Sequence, residues 1–246
     1  MKLLLIRHAD PDYRVDGLTE VGRAEAELLA ERIAPMEITE YYVSTMGRAK
    51  LTAAPTRARA GRSAVECDWL REFSVPVPRP DRAGIGDGLS DVPWDWLPQD
   101  WSSDPLLLDH ARWWEHEVFK AKQIGQAYQR VIREFDRVLA EHGYRREAGY
   151  YRAERSNTDT LAFFCHFGTA CVLMSHLMNV SPMILWHGTA FAPTSVTTIY
   201  TEERRPGIAS FRASAIGDIS HLSMHGVQPS FSARFCETYG NGDRID

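Results

Sequence analysis

The strongest constraint on the fold comes from two short apolar runs, each of which leads to a histidine. One run lies within residues 2–6 and leads through Arg7 to His8, and the other covers residues 160–165 and is followed by His166. Short runs without alternating polar residues are typical of strands that are covered on both faces, as in parallel sheets. The chain therefore needs helices on both sides of a sheet.

The segments around these two runs alternate between helix and strand patterns. An apolar stripe that begins after Thr19, a suitable N-cap, predicts a helix that is closed by Pro35. A second helix is expected to start from a Ser/Thr cap at residues 44–45 and to stop at Gly61. Strands are predicted at residues 38–43, 64–67, 194–201 and 208–216, further helices at 124–138 and 170–180, and a charged loop at 143–158. This order favours a three-layer α/β/α sandwich with a mostly parallel central sheet.

Residues 74–116 differ in composition from the rest of the chain. Six prolines fall between residues 76 and 105, and the tryptophans at 94, 96 and 101 follow no helical or strand period. Such a segment is too long for a plain connection in a compact domain. We expect a single domain over residues 1–246, with this Pro/Trp-rich insertion as a cap or lid or as an ordered surface excursion.

Composition narrows the possible partners and the compartment. The net charge of −5 over 246 residues gives no overall attraction to nucleic acid or to anionic membranes. No run approaches the ~18 apolar residues of a membrane span, and the spacing of the four cysteines matches no zinc pattern. We expect a cytoplasmic protein that binds neither nucleic acid nor membrane. An anionic ligand must then be held by a local cluster of cations.

Charged and imidazole side chains follow several of the predicted strands. Arg7 and His8 close the first strand, His166 follows the second apolar run, and Arg48 and Glu72 follow two other strands. Because the carboxyl ends of strands in an open α/β sheet meet at one edge, we expect these five side chains to converge. Two guanidinium groups can hold a phosphoryl group, a neutral imidazole can attack its phosphorus, and a carboxyl group can protonate the leaving oxygen.

Five segments together resemble the signature of one known family. They are LLLIRHAD, DGLTEVGRAEAELLAERI, YYVSTMGRAKLTA, WLREF and LAFFCHFGTACVLM, which cover about residues 2–72 and 159–201. On these motifs the chain resembles the histidine phosphatase superfamily, of the phosphoglycerate-mutase-like kind. The resemblance implies a phosphoglycerate-mutase-like fold and a phosphomonoesterase that works through a phosphohistidine.

The resemblance also implies a role for each of the five side chains. His8 would be the nucleophile that forms the phosphohistidine. Arg7, Arg48 and His166 would hold the phosphoryl oxygens and stabilise the charge of the transition state. Glu72 would give its proton to the leaving alcohol and then activate water. Such a mechanism requires no metal and no other cofactor.

Several residues near the motifs leave questions open. Asp10 is the alternative to Glu72 as the general acid, and Arg14 is a candidate substrate contact. Ala9 replaces the family's usual glycine, and the loop after His8 is short and lacks the usual Gly-Glu-Thr. These departures concern the substrate side of the site and leave the phosphoryl-binding residues in place.

A metal site at the two histidines of the segment SHLSMH, residues 220–225, is not expected. His221 and His225 are four residues apart, as two metal ligands on a helix would be. The adjacent Gly226 and the lack of a nearby acidic residue disfavour such a pair.

Two functions compete with the phosphomonoesterase. A mutase of the phosphoglycerate-mutase type would return the phosphoryl group to another hydroxyl group. A non-catalytic module would bind a phosphorylated ligand without cleaving it. In each case the expected partner is a small-molecule phosphate monoester, and no pattern in the sequence indicates its alcohol or an oligomeric state.

Overall fold

The computed structural model describes residues 1–82 and 91–232. The strands are β1 (Lys2–Arg7), β2 (Pro11–Asp12), β3 (Gly17–Leu18), β4 (Glu40–Ser44), β5 (Val65–Cys67), β6 (Tyr144–Glu147), β7 (Tyr150–Ala153), β8 (Thr160–Cys165), β9 (Val196–Arg205) and β10 (Ile208–Asp218). The helices are α1 (Glu20–Ile33), α2 (Gly47–Ala60), α3 (Pro98–Trp101), α4 (Pro105–Leu108), α5 (Glu117–Ala121), α6 (Ile124–Glu141), α7 (Phe167–Met178), α8 (Pro182–Gly188) and α9 (Ser220–Ser223).

Eight of these strands form one mixed sheet in the order β5-β4-β8-β1-β9-β10-β7-β6, and β2 pairs only with β3 within the described residues. The half from β5 to β1 is parallel. The other half is antiparallel, because β9 and β10, and likewise β6 and β7, follow each other through turns of two residues. The predicted α/β/α class is confirmed, with the expected parallel order confined to one half of the sheet.

The side chains of β1 alternate between two separate core layers. Leu3 and Leu5 pack on the face that α6 and α7 cover. Leu4 and Ile6 point to the opposite face, where α1 and α2 lie. Successive residues of a strand face opposite sides of the sheet. Both faces of β1 are therefore buried, which is why its sequence carries no polar alternation.

Most of the predicted elements are present, but the loop predicted at residues 143–158 is wrong. Thr19 caps α1 as expected, since its side chain accepts a hydrogen bond from the N–H group of Gly22. The charged loop predicted at 143–158 instead contains the hairpin β6–β7. Tyr144 and Tyr151 are both buried in this hairpin, and Tyr151 packs on Phe211 at a ring separation of 4.8 Å. The charged residues between the tyrosines mask the strand pattern and suit strands at the edge of a sheet.

The described parts of the segment 74–116 consist of short helical turns that pack onto the body of the protein. Trp113 is fully buried, with its ring 5.5 Å from Trp186 and 5.2 Å from Tyr128. Residues 83–90, which belong to the predicted insertion, lie outside the described residues. Of the helices in the described ranges, none combines the length and the apolar character that a membrane crossing requires.

Candidate active site

The pairing of β1 with β8 brings His8 and His166 together. The two strands run parallel with Arg7 opposite Cys165, so the next residue along each strand is one of the histidines. The backbone N–H of His8 donates to the carbonyl oxygen of Cys165 at 3.0 Å. The two imidazole ring centres lie 5.0 Å apart, and both side chains are buried.

The hydrogen bonds of the His8 ring assign its proton to Nδ1 and its lone pair to Nε2. The Nδ1 atom lies 2.8 Å from the carbonyl oxygen of Ala9, which can only accept, so Nδ1 carries the ring proton. Arg48 donates its Nε–H to Nε2 at 3.3 Å. Burial lowers the pKa of His8 well below its ordinary value, and the positive charges of Arg7 and Arg48 lower the pKa further. The ring is therefore neutral at pH 7, and Nε2 is a potential nucleophile.

Asp16 places Arg48 and is a functional candidate that sequence reasoning missed. Arg48 follows Gly47 at the start of α2, and its Nη1 atom lies 2.6 Å from Asp16 Oδ1. The other carboxylate oxygen of Asp16 accepts the N–H of Gly47 at 2.6 Å. The expected Ser/Thr cap of α2 is wrong, since the N-cap residue is Met46 and makes no side-chain cap bond.

Arg7 is held from the opposite side of the site, by the loop that precedes β9. Its Nη1 atom donates to the carbonyl oxygen of Phe191, and its backbone N–H donates to the carbonyl oxygen of Ser195. In the same loop the N–H of Thr194 donates to the carbonyl oxygen of His8 at 3.3 Å. The loop thus fixes both residues of the Arg-His pair, and no local signal in the sequence indicates this.

His166 presents a polar atom with no partner among the described residues. Its Nε2 atom lies 2.8 Å from Ser44 Oγ, which also accepts the N–H of Met46. In the tautomer in which the Ser44 hydroxyl group donates to Nε2, the Nδ1 atom of His166 carries the ring proton. The Nδ1 atom is buried and makes no hydrogen bond within the described part of the chain. A buried donor of this kind is suited to an anionic oxygen of a ligand.

Glu72 lies at the N-terminus of α7, directly beyond His166. Its Oε1 atom accepts the N–H groups of Phe73 at 2.9 Å and of Thr169 at 3.2 Å. Burial raises the pKa of Glu72, although these hydrogen bonds and the charges of Arg48 and Arg7 counteract the increase. The carboxyl group is half-buried among cations and helix donors, where it can hold or release a proton.

The alternative acid, Asp10, is engaged elsewhere. One of its carboxylate oxygens accepts the hydroxyl group of Thr19 at 2.7 Å, and the other accepts that of Ser232 at 2.6 Å. Asp10 therefore ties the start of α1 to the C-terminal part of the described chain. Arg14, the candidate substrate contact, is exposed and pairs with Asp12 at 2.7 Å.

His221 and His225 do not form a metal pair. The short helix α9 ends at Ser223, so the two rings do not share a helix face. His221 is buried and lies 3.0 Å from Thr194 Oγ1, whereas His225 is exposed and lies 3.3 Å from a carboxylate oxygen of Glu31. Across residues 1–82 and 91–232, no three or more His, Cys, Asp or Glu side chains are grouped so that they could hold a metal ion.

A compact anion site is formed by the five side chains predicted from the sequence, namely Arg7, His8, Arg48, Glu72 and His166. At one edge of the sheet lie the neutral imidazole of His8, the imidazole of His166 and the guanidinium groups of Arg7 and Arg48. The N-termini of α2 and α7 lie beside them. Guanidinium groups and helix N-termini both favour a phosphate-like anion. A carboxyl group whose pKa is raised stands next to them. Such an arrangement can bind a phosphoryl group and transfer it to an imidazole.

Sequence comparison supports the same family as the motifs do. Residues 3–78 match the family model of the histidine phosphatase superfamily (branch 1). A probable phosphatase from Schizosaccharomyces pombe is 39% identical over 64 residues, which represent 22% of this chain. The matched region spans 31% of the length of that relative.

Solved structures of low sequence identity share the fold. A mycobacterial hydrolase has a TM-score of 0.58 at 18% identity and covers 88% of this chain and 98% of its own. A phosphoserine phosphatase from Entamoeba histolytica has a TM-score of 0.56 at 15% identity, with 90% and 98% covered. A mycobacterial glucosyl-3-phosphoglycerate phosphatase has a TM-score of 0.55 at 16% identity, with 88% and 98% covered. Residues 3–78 are thus similar to the histidine phosphatase superfamily, and the chain as a whole shares the fold of these solved structures.

Proposed function

We propose that this protein hydrolyses phosphate monoesters through a phosphohistidine formed on His8. The observation that carries the proposal is the His8 ring, whose Nε2 lone pair is directed to Arg48 at 3.3 Å and whose ring centre lies 5.0 Å from His166. The Nδ1 atom of the neighbouring His166 makes no hydrogen bond within the described residues, whereas the polar atoms of a structural histidine in a core are ordinarily satisfied. Here the surrounding groups are those that bind and polarise a phosphoryl oxygen. The phosphatase names of the relatives agree with this proposal.

The first step of the proposed reaction transfers the phosphoryl group to the enzyme. The Nε2 lone pair of His8 attacks phosphorus, and the bond between phosphorus and the ester oxygen breaks. Glu72 gives its proton to that oxygen, so the alcohol leaves neutral. Arg7, Arg48 and the Nδ1–H of His166 hold the three remaining phosphoryl oxygens. Preorganised charges of this kind are usually the largest catalytic contribution.

The second step returns the enzyme to its starting state. Glu72, now a carboxylate, accepts a proton from a water molecule while the water oxygen attacks phosphorus. The bond from phosphorus to Nε2 breaks, the electron pair returns to the imidazole, and inorganic phosphate is released. The neutral state of His8 favours the first attack, and the raised pKa of Glu72 favours its protonated form before the alcohol leaves.

The substrate is proposed to be a small phosphorylated molecule, with catalysis independent of a metal ion. Cys67, Cys165 and Cys171 are free, buried thiols, which supports a reducing, cytoplasmic location. The packing of Trp113 on Trp186 and of Trp96 on Phe119 supports a single domain. The approach of Trp94 to Gly168 supports a role as a cap for the described part of the segment 74–116.

The test is the release of phosphate from an aryl phosphate by the purified protein and by the variant His8→Ala. We expect turnover in the wild type and none above background in the variant, whose circular dichroism should match that of the wild type. Vanadate, which imitates five-coordinate phosphorus, is expected to inhibit, and a chelator is expected to have no effect. Full activity of His8→Ala would refute the nucleophile, and inhibition by the chelator would refute metal independence.

The same assay separates the competing functions. A mutase would convert its substrate into an isomer with little free phosphate, and a binding module would bind inorganic phosphate without turnover of any ester. Free phosphate released in proportion to the alcohol supports the hydrolase over both.

A further inference from the structure

Trp94, in the Pro/Trp-rich segment, is placed against the motif that carries the second histidine. A Cβ atom built on Gly168 would lie 2.4 Å from Cζ3 and 2.5 Å from Cη2 of the Trp94 ring. The same point is 2.8 Å from Oε1 of Glu72. Only glycine leaves room here for both groups. The edge of the indole and the carboxyl group therefore approach the same part of α7 from the site side.

The Trp94 ring is supported on its other sides by buried aromatic residues. It stands perpendicular to Phe167 at 5.7 Å and lies 5.7 Å from Trp186. Phe167 and Trp186 are each 2% exposed, whereas Trp94 remains half-buried. The ring thus packs against two buried aromatic neighbours, and part of its surface remains accessible.

The position of Glu72 determines which part of a substrate meets this ring. If Glu72 protonates the leaving oxygen, that oxygen lies within hydrogen-bond distance of the carboxyl group. The carbon atoms attached to the oxygen must then extend past the residues that border Glu72. The edge of the Trp94 ring is next to Glu72, because this edge and Oε1 of Glu72 both lie within 3 Å of the position that a Cβ atom on Gly168 would occupy.

We infer that Trp94 determines specificity by packing against the leaving alcohol, and that the preferred substrates are monoesters whose alcohol carries an aromatic ring close to the ester oxygen. This inference rests on the proposed phosphatase function. A rigid, partly exposed indole supplies an apolar face at little entropic cost, and aromatic pairs are favoured beyond the area they bury. A small polar alcohol would make no favourable aromatic contact with the indole ring of Trp94.

The experiment compares benzyl phosphate with n-propyl phosphate, since both release primary alcohols and differ chiefly in the ring. The ratio of their kcat/KM values is measured for the wild type and for Trp94→Ala. We expect the wild type to prefer benzyl phosphate and the ratio to fall by about tenfold in the variant. Trp94→Phe keeps a ring and is expected to keep most of the preference.

Trp114→Ala is the matched control. Trp114 belongs to the same segment, is also half-buried, and stacks on Tyr128 at 5.1 Å on the side of α6. Its substitution is expected to lower stability and leave the ratio unchanged. If Trp94→Ala fails to fold, the ratio is read from Trp94→Leu, which keeps apolar volume and lacks the ring.

The outcomes separate this inference from the proposed function. Turnover of both esters that depends on His8, with an equal ratio in the wild type and in the folded Trp94 variants, would overturn the inference and leave the phosphatase standing. A ratio that falls equally in the Trp114 control would also overturn it. No turnover of either ester or of an aryl phosphate by the wild type would overturn the proposed function itself.

Discussion

At the scale of single residues, burial shifts the pKa values of the nucleophile His8 and the acid Glu72 in opposite directions. It lowers the pKa of His8, because the charged imidazolium is the form that burial disfavours. It raises the pKa of Glu72, because there the charged form is the carboxylate. A neutral nucleophile and a protonated acid therefore coexist over a wider pH range than the two free side chains would allow.

The opposite pKa shifts of His8 and Glu72 predict how kcat/KM depends on pH. Activity should rise with pH through the lowered pKa of His8 and fall again through the raised pKa of Glu72. Glu72→Gln cannot donate a proton, so kcat for an alkyl phosphate should fall by about 10²–10⁴-fold. The loss should be smaller for p-nitrophenyl phosphate, whose leaving group needs little protonation. An unchanged alkaline limb in this variant would contradict the role of Glu72.

At the scale of structural elements, the loop before β9 connects α9, the last helix in the described residues, to the nucleophile. Thr194 adopts a positive φ of 60°, which is costly for a β-branched residue. Its hydroxyl group donates to the carbonyl oxygen of Pro193 and lies 3.0 Å from Nε2 of the buried His221. Its backbone N–H donates to His8. His221 therefore stabilises a strained loop whose geometry positions the Arg-His pair.

The variant His221→Ala tests this connection. Removal of the ring leaves Thr194 free to relax toward a commoner conformation, so the hydrogen bond to His8 should weaken. We expect kcat to fall by about tenfold and the free energy of unfolding by about 1–3 kcal/mol. His225→Ala is the control, since that exposed side chain pairs only with Glu31 among the described contacts. Equal effects of the two substitutions on kcat would show that His221 has no positioning role.

At the scale of the whole molecule, the site joins parts of the chain that are distant in sequence. It draws on β1 and β8 in the parallel half of the sheet, on α2 on one face and α7 on the other, and on the loop before the antiparallel half. Both core layers contribute elements to it. A ligand that fills the site is therefore expected to stabilise the folded chain as a unit.

Binding of inorganic phosphate should raise the thermal midpoint of the whole protein. At a concentration of about 100 times Kd, a ligand that binds only the native state adds about 2.7 kcal/mol. For a chain of this size that corresponds to an increase in Tm of about 5–10 °C. Arg48→Ala should lose most of this increase. Arg14→Ala, which removes an exposed guanidinium group, should keep it, and an equal loss in both variants would argue against a specific site.

The class of the fold and the residues at the strand ends follow from sequence patterns alone. Short apolar runs require a sheet covered on both faces, and the parallel register of β1 and β8 then places His8 and His166 side by side. Arg48 and Glu72 could be named because each follows a strand in a recognisable motif. These signals can be recognised in short segments, since they depend on apolar patterning and on short motifs.

The groups that support those residues are recognised only in the folded chain. Residues that are far apart in the chain are joined by these contacts: Asp16 with Arg48, Thr194 with His8 and His221, and Trp94 with Gly168. No periodicity marks such pairs, because each depends on how separate elements pack. The β6–β7 hairpin was not predicted for a related reason. Tyr144 and Tyr151 belong to the core because Phe211, from a distant strand, packs against them.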